Sequence, residues 1–197
     1  MRLLVGTGNQ GKFIEIGEAL RSPGLELVLA EASQVRAMPP EEGVTFADNA
    51  LLKARYYAKQ SGLPTIADDS GIIVDALKDE LGIHTRRWGA GAAASDSEWI
   101  TYFLRRLERE KNRHARFVCA IAYVDPKSRA HVFEGTCTGV ITPTLEAAYL
   151  PGLPISACFK PKGYDRVYAA LSIEEKNSVS HRGRALQKLA SHLASHS

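Results

Sequence analysis

A single α/β domain is the fold class that this sequence predicts, and three observations predict it. With 197 residues, 45% of them apolar, the chain suffices for one substantial core and leaves little room for a second independent one. Its opening reads strand, helix, strand. Further on, residues 117–124 are apolar on both faces, the pattern of a central strand covered from each side.

The elements follow in order. Residues 3–7 read as a strand, Asn9 caps a helix over 11–20, and a second strand over 25–30 follows Ser22-Pro23-Gly24. Thr45 followed by Asp48 resembles a capping box. Behind it Ala47, Ala50, Leu51, Ala54, Tyr57 and Ala58 recur at helical spacing, with Asn49 and Lys53 on the other face of a helix that runs to Ser61. Residues 63–67 form a short buried strand entered through Pro64, which the chain leaves in Asp68-Asp69-Ser70-Gly71. A helix over 95–110 buries Trp99, Ile100, Phe103, Leu104 and Leu107. The strand at 117–124 turns through Asp125-Pro126-Lys127-Ser128 into a partner over 130–140, making a long hairpin. Residues 150–163 are rich in proline and glycine, and a last helix from Ser180 turns Ala185, Leu186, Leu189, Ala190 and Leu193 inward.

Composition narrows the partners. A net charge of +3, from 25 basic and 22 acidic residues, is too balanced for a nucleic-acid coat but suits one small polyanion. Cys119, Cys137 and Cys158 are odd in number and lack metal-ligand spacing, so reduced thiols in a cytoplasmic protein are expected. No run of about 20 apolar residues exists, which argues against a membrane span, and the apolar start is too short for a signal peptide.

Five places along the chain carry chemistry. Asp68 and Asp69 deliver negative charge to a sheet edge where ligands bind, and strand alternation turns them opposite ways, so that only one projects fully into a given pocket. Asp69 is the expected one; the competing reading is an Asx turn around Ser70-Gly71. Gly6-Thr7-Gly8-Asn9-Gln10-Gly11-Lys12 places backbone N–H groups at a helix start beside one ammonium, which makes a phosphate cradle. The same glycines fit a dinucleotide fingerprint, but Glu26 opens the second strand instead of closing it, and Walker A spacing is absent. Glu41 and Glu42 add carboxylates on a loop; Glu41 with Asp69 would suffice for Mg²⁺, which takes one or two protein carboxylates and completes its shell with water and phosphate. Lys53 either reaches phosphate from the opposite side or is a solvated surface lysine. Near the end of the chain, Ser180 caps a helix whose first turn presents His181 and Arg182. Basic groups there oppose the macrodipole, so they either attract an anion or stand exposed at small cost.

Taken together, Thr7-Gly8-Asn9-x-x-Lys12, Glu41, Thr45-Phe46-x-x-Asn49 with Lys53-Ala54, Ala67-Asp68-Asp69-Ser70-Gly71, and Glu175-Lys176-Asn177 with Ser180-His181-Arg182 resemble the inosine triphosphate pyrophosphatase family, the dITP/XTP pyrophosphatases. The resemblance spans nearly the whole chain. It implies an α/β fold with an elongated central mixed sheet flanked by helices, and two lobes with the active site in the cleft between them. It further implies a Mg²⁺-dependent hydrolase that converts ITP, dITP or XTP to the monophosphate and pyrophosphate, working as a homodimer. Its roles would place Thr7, Gly8, Asn9, Gln10, Gly11, Lys12 and Lys53 on the phosphates, Glu41 and Asp69 on the metal, Asp69 as the base, and Ser70, Lys176, His181 and Arg182 on the substrate.

One segment departs from the family pattern. Where the family shows Gly-Phe-Gly-(Tyr or Trp)-Asp-Pro before Phe-x-Pro-x-Gly, this chain has Gly152-Leu153-Pro154-Ile155-Ser156-Ala157-Cys158 before Phe159-Lys160-Pro161-Lys162-Gly163. The stacking aromatic becomes Leu153, the second aromatic becomes Ile155, and the acidic base reader becomes Ser156. Stacking on an aromatic is worth about 1–3 kcal/mol, of which an aliphatic recovers part, and a serine lacks the charged bidentate acceptance of a carboxylate. Retained hydrolysis with weakened or altered preference for inosine over adenine and guanine is therefore expected. The alternatives are a non-catalytic nucleotide-binding protein that keeps the phosphate site, and a nicotinamide-dependent oxidoreductase built on Gly6, Gly8 and Gly11.

Overall fold

The computed structural model describes residues 1–30, 39, 42–77, 80–91 and 93–195. Among them, six strands form one mixed sheet in the order β2-β1-β3-β4-β5-β6. β1 (Arg2–Val5), β2 (Glu26–Leu29) and β3 (Thr65–Val74) run parallel, and β4 (His114–Val124), β5 (Ala130–Ile141) and β6 (Phe159–Pro161) continue antiparallel. The α/β expectation holds, and so does the long hairpin of β4 and β5.

The helices start where the sequence signals them. Asn9 caps α1 (Gln10–Ala19) by accepting from Lys12 N at 3.0 Å. Thr45 and Asp48 form the expected capping box of α2 (Phe46–Ser61), and Gly62 ends it in the left-handed conformation that glycine adopts without penalty. α3 (Asp96–Arg106) has its own box from Ser95 and Glu98, and it stops short of the predicted end at Glu110. α5 (His181–Ser195) begins after Ser180 as expected, but a preceding helix, α4 (Ile173–Val179), was not anticipated; Ser172 and Glu175 supply its capping box.

The largest correction concerns β3. The expectation ended the strand at Ala67, with Asp68-Asp69-Ser70-Gly71 leaving it and an Asx turn there as the competing reading, whereas the strand continues to Val74. Pairing with β4 decides this: Asp68 lies opposite Ile121, Asp69 opposite Ala120, and the register runs unbroken from Thr65 to Val74. A full antiparallel ladder outweighs the turn preference of four residues. On the other side, β1 pairs only as far as Val5 with Ile66. Beyond that point the β1-side edge of β3 has no strand partner until Ile72, whose N donates to Thr85 Oγ1 at 3.1 Å, and residues 68–70 in between are reachable on both faces from one crevice.

Packing assigns the faces. Leu3, Val5, Ile66, Cys119 and Ile121 pack with Ile16 of α1 and with Ala185, Leu186 and Leu189 of α5. On the opposite face Ala67, Ala120, Ala122 and Val124 meet Ala50 and Ala54 of α2, small residues that let the helix approach closely. A third cluster gathers Ile72, Trp99, Phe103, Ile155, Phe159 and Tyr168 around the far half of the sheet. α1 and α2, on opposite faces, leave the carboxyl ends of β1 and β3 at a topological switch point, the place where open α/β sheets bind ligands.

Gly135 of β5 sets how closely α5 lies on the sheet. A Cβ there would stand 2.1 Å from His181 O and 2.8 Å from Ala185 N, both backbone atoms that cannot rotate away. Gly135→Ala is therefore expected to cost about 1–3 kcal/mol, by forcing the first turn of α5 off the sheet. A lowered unfolding midpoint in denaturant titration checks it, and an unchanged midpoint would show that α5 shifts freely.

Candidate active site

The crevice beyond β1 begins with a tight turn. Gly6 N donates to Ile66 O at 2.7 Å, and Asn9 N donates to Thr7 Oγ1 at 3.1 Å, so the chain curls directly into α1. Two of the glycines here are required by packing: a Cβ on Gly6 would press into the Tyr57 ring at 2.4 Å, and one on Gly11 would meet Pro151 O at 2.6 Å. Asn9 Nδ2 also donates to Gly152 O at 3.1 Å, and Asp96 Oδ2 accepts from Gly152 N at 2.5 Å, tying the 151–156 segment to the turn.

From α1, Lys12 Nζ reaches Asp68 Oδ2 at 3.0 Å. Arg182 Nη2 donates to the same oxygen at 3.2 Å and to Ser70 Oγ at 3.0 Å. The other side of that guanidinium binds Glu15 Oε2, while Lys176 Nζ from α4 binds Glu15 Oε1. One chain of charges thus joins α1, β3, α4 and α5. Asp69 points the other way. Its Oδ1 meets Lys53 Nζ at 3.2 Å and its Oδ2 accepts from Asn49 Nδ2 at 3.1 Å. Asn49 Oδ1 in turn accepts from Gly43 N at 2.8 Å, which brings the loop ahead of α2 to the same carboxylate.

Fifteen of the sequence-predicted residues border one cavity of about 620 Å³: Thr7, Gly8, Asn9, Gln10, Lys12, Lys53, Asp69, Ser70, Leu153, Pro154, Ile155, Ser156, Lys176, His181 and Arg182. Gly11 packs beneath the 151–153 backbone, and Glu41 lies outside the described residues. Asp68 and Asp69 do face opposite ways, yet both border this cavity, because it passes around the open edge of β3. The expectation that only one of them serves a given pocket is corrected accordingly.

The bland readings fail at three positions. Lys53 is buried against Asp69, and His181 and Arg182 are buried too, where an exposed pair was the competing expectation. The His181 ring stacks at 4.6 Å on Phe117 and lies nearly parallel to Tyr168. Glu15 and Asp68 escaped the sequence reading as partners of Arg182. The available signal was the spacing of Lys12 and Glu15, three apart on one helix face.

Electrostatics follow from burial and pairing. Burial raises the Asp68 carboxyl, but Lys12, Arg182 and Lys53 outweigh it and hold the group well below the ordinary carboxylate range. Glu15 is likewise lowered, burial being overcome by Arg182 and Lys176. Burial, then the neighbouring Arg182 charge, depresses His181 well below 6.5, so its imidazole is neutral. Arg182 is raised despite burial, by Glu15 and Asp68.

The shifts of Asp68, Glu15 and His181 share one sign. A depressed folded-state pKa contributes stability above the unfolded value that is lost as pH falls toward the folded value. Thermal unfolding temperature is expected to fall first below pH 6.5, as the unfolded chain takes up the proton that His181 refuses. A second fall follows below about pH 4, where Asp68 and Glu15 lose their advantage. In His181→Asn the first stage should disappear; its persistence would show that another group carries it.

The Ham1 family model matches residues 3–192. A dITP/XTP pyrophosphatase of Thermus thermophilus is 41% identical over 192 residues, covering 96% of this chain and 90% of that protein. A dITP/XTP pyrophosphatase of Leptospira interrogans is 37% identical over 188 residues, covering 95% and 94%. Among solved structures, a HAM1 protein from Coxiella burnetii superposes with a TM-score of 0.82 at 32% identity over 99% of each chain. The Staphylococcus aureus Ham1 protein gives 0.81 at 32% over 100% of each. With sequence and fold matched from end to end, this chain belongs to the Ham1 family.

Proposed function

We propose that this protein hydrolyses purine nucleoside triphosphates such as ITP, dITP and XTP to the monophosphate and pyrophosphate, cleansing the nucleotide pool. The single observation that carries the reading is the shared cavity, in which the phosphate-cradle turn, Lys12, Lys53 and Lys176 surround the carboxylates of Asp68 and Asp69. The relatives named dITP/XTP pyrophosphatase support the substrate class.

Mg²⁺ fits the residues present. Such an ion takes one or two protein carboxylates, so it does not require the cluster of three or more His, Cys, Asp or Glu side chains that the described residues do not form. Asp69 would hold it, with Glu41 from the neighbouring loop; Asn49 links Asp69 to Gly43, two residues beyond Glu41. When bound, the ion supplies charge neutralisation and alignment of the triphosphate for in-line displacement.

The residues do the rest. Backbone N–H groups of the 7–12 turn, with Lys12 and Lys53, bind the phosphates. Asp69 accepts a proton from water as the water oxygen bonds to the α-phosphorus and the bond to the bridging oxygen breaks. Lys176 and its neighbours stabilise the negative charge gathering on the departing pyrophosphate. No covalent intermediate is needed.

The base-reading segment is chemically thinned. Ser156 Oγ donates to Leu153 O at 2.6 Å, which uses its hydrogen and leaves only acceptor capacity, and Ile155 is buried in the core. This supports an altered preference among purines, with discrimination against guanine weakened most. We read the chain as one two-lobed domain, for which the separate core clusters on either half of the sheet are the support. A homodimer is favoured by the exposed Val44 and Leu52, and a cytoplasmic setting by three unpaired buried thiols. No helix among the described residues is long and apolar enough to cross a membrane.

Pyrophosphate release with Mg²⁺ tests the activity. Asp69→Asn is expected to lower kcat by about 10²–10⁴-fold with little change in KM, and wild-type binding without turnover would favour a nucleotide-binding protein instead. Across a triphosphate panel, kcat/KM for ITP and GTP should lie within about tenfold of each other; a large preference for ITP over GTP would refute the altered-loop reading.

A further inference from the structure

One wall of the cavity is apolar, formed by Leu153, Pro154, Ile155 and Phe117 with Trp99 from α3. Trp99 is 2% exposed, packs in the same cluster as Ile155, and stacks on Phe103 at 5.2 Å. Its indole Nε1 has no hydrogen-bond partner among the described residues. A buried donor without an acceptor costs free energy that a protein rarely tolerates without use.

The sense of that donor is fixed. An indole N–H can only donate, whereas the hydroxyl of Tyr168 and the neutral ring of His181 can donate or accept. Of the other polar side chains beside the altered segment, Ser156 has spent its hydrogen on Leu153 O, and Asp96 Oδ2 already accepts from Gly152 N. Arg182 Nε, the other fixed donor left over, belongs to a guanidinium already bound to Glu15 and Asp68 at the charged wall.

Resting on the pyrophosphatase reading, we propose that Trp99 is a specificity-determining residue of this site, its unpartnered indole N–H matching the exocyclic 6-oxygen of an oxopurine. A 6-amino group presents a donor to that donor, so adenine is rejected. Nothing in the pairing opposes a 2-amino group, so guanine is admitted with hypoxanthine and xanthine. The ring is sealed in the ligand-free protein, and the acceptor arrives with a base that enters alongside the 153–156 turn.

The test is Trp99→Phe, which removes the N–H and keeps an aromatic ring. In the wild type, kcat/KM for ITP should exceed that for ATP and that for purine riboside triphosphate, which lacks the 6-oxygen; in the variant both ratios should fall about tenfold. Ratios that stay the same, or activities that fall equally for all three nucleotides, would overturn the proposal. Should the variant fail to fold, the wild type alone still decides: equal kcat/KM for ITP and purine riboside triphosphate removes any role for a 6-oxygen donor. A wild type that cleaves no triphosphate refutes the hydrolase reading separately, and calorimetric ITP binding, lost or kept in the variant, then decides the role of Trp99.

Discussion

The buried chain of charges from Lys12 through Asp68, Arg182 and Glu15 to Lys176 is the interaction on which the site depends. It joins the helix after the first strand to the long third strand and to the last two helices, segments that are far apart in sequence. Each carboxylate pairs with two cations, and the three cations are held at the cavity wall by the two carboxylates. Such networks add little net stability over an apolar core, but removing one member leaves an uncompensated buried charge that costs about 3–5 kcal/mol. The network therefore acts more on geometry than on stability.

Two lysine–aspartate pairs on opposite faces of β3 give the crevice its division of labour. Lys12 with Asp68 belongs to the α1 and α5 face, and Lys53 with Asp69 to the α2 face. Both pairs border the one cavity that passes around the strand edge. The strand must extend past its parallel neighbour for this to work, and the four-residue β1 beside the ten-residue β3 provides the overhang.

The apolar side of the cavity is built on the 153–156 turn. With Leu153 against the backbone of Gly11 and Ile155 inside the core, the segment that would ordinarily present aromatics contributes mostly shape. Trp99 enters from a different element, packing against that turn.

Local signals in the sequence were enough for the helix starts, because capping is a contact among residues three apart: Asn9 with Lys12, Thr45 with Asp48, Ser95 with Glu98. They were enough, too, for the strand-to-helix turn over residues 6–12 and for the opposed directions of Asp68 and Asp69, which follow from strand alternation alone. Tertiary structure decided what depends on distant partners. The continuation of β3 through Asp68-Asp69-Ser70-Gly71 required the β4 ladder, the burial of Lys53, His181 and Arg182 required α2 and α5 to close on the sheet, and Glu15 acquired its role only once α4 and α5 reached it. Propensity and periodicity act over a few residues, whereas a buried charge is tolerated only beside a counter-charge, and where that counter-charge lies is a property of the folded chain.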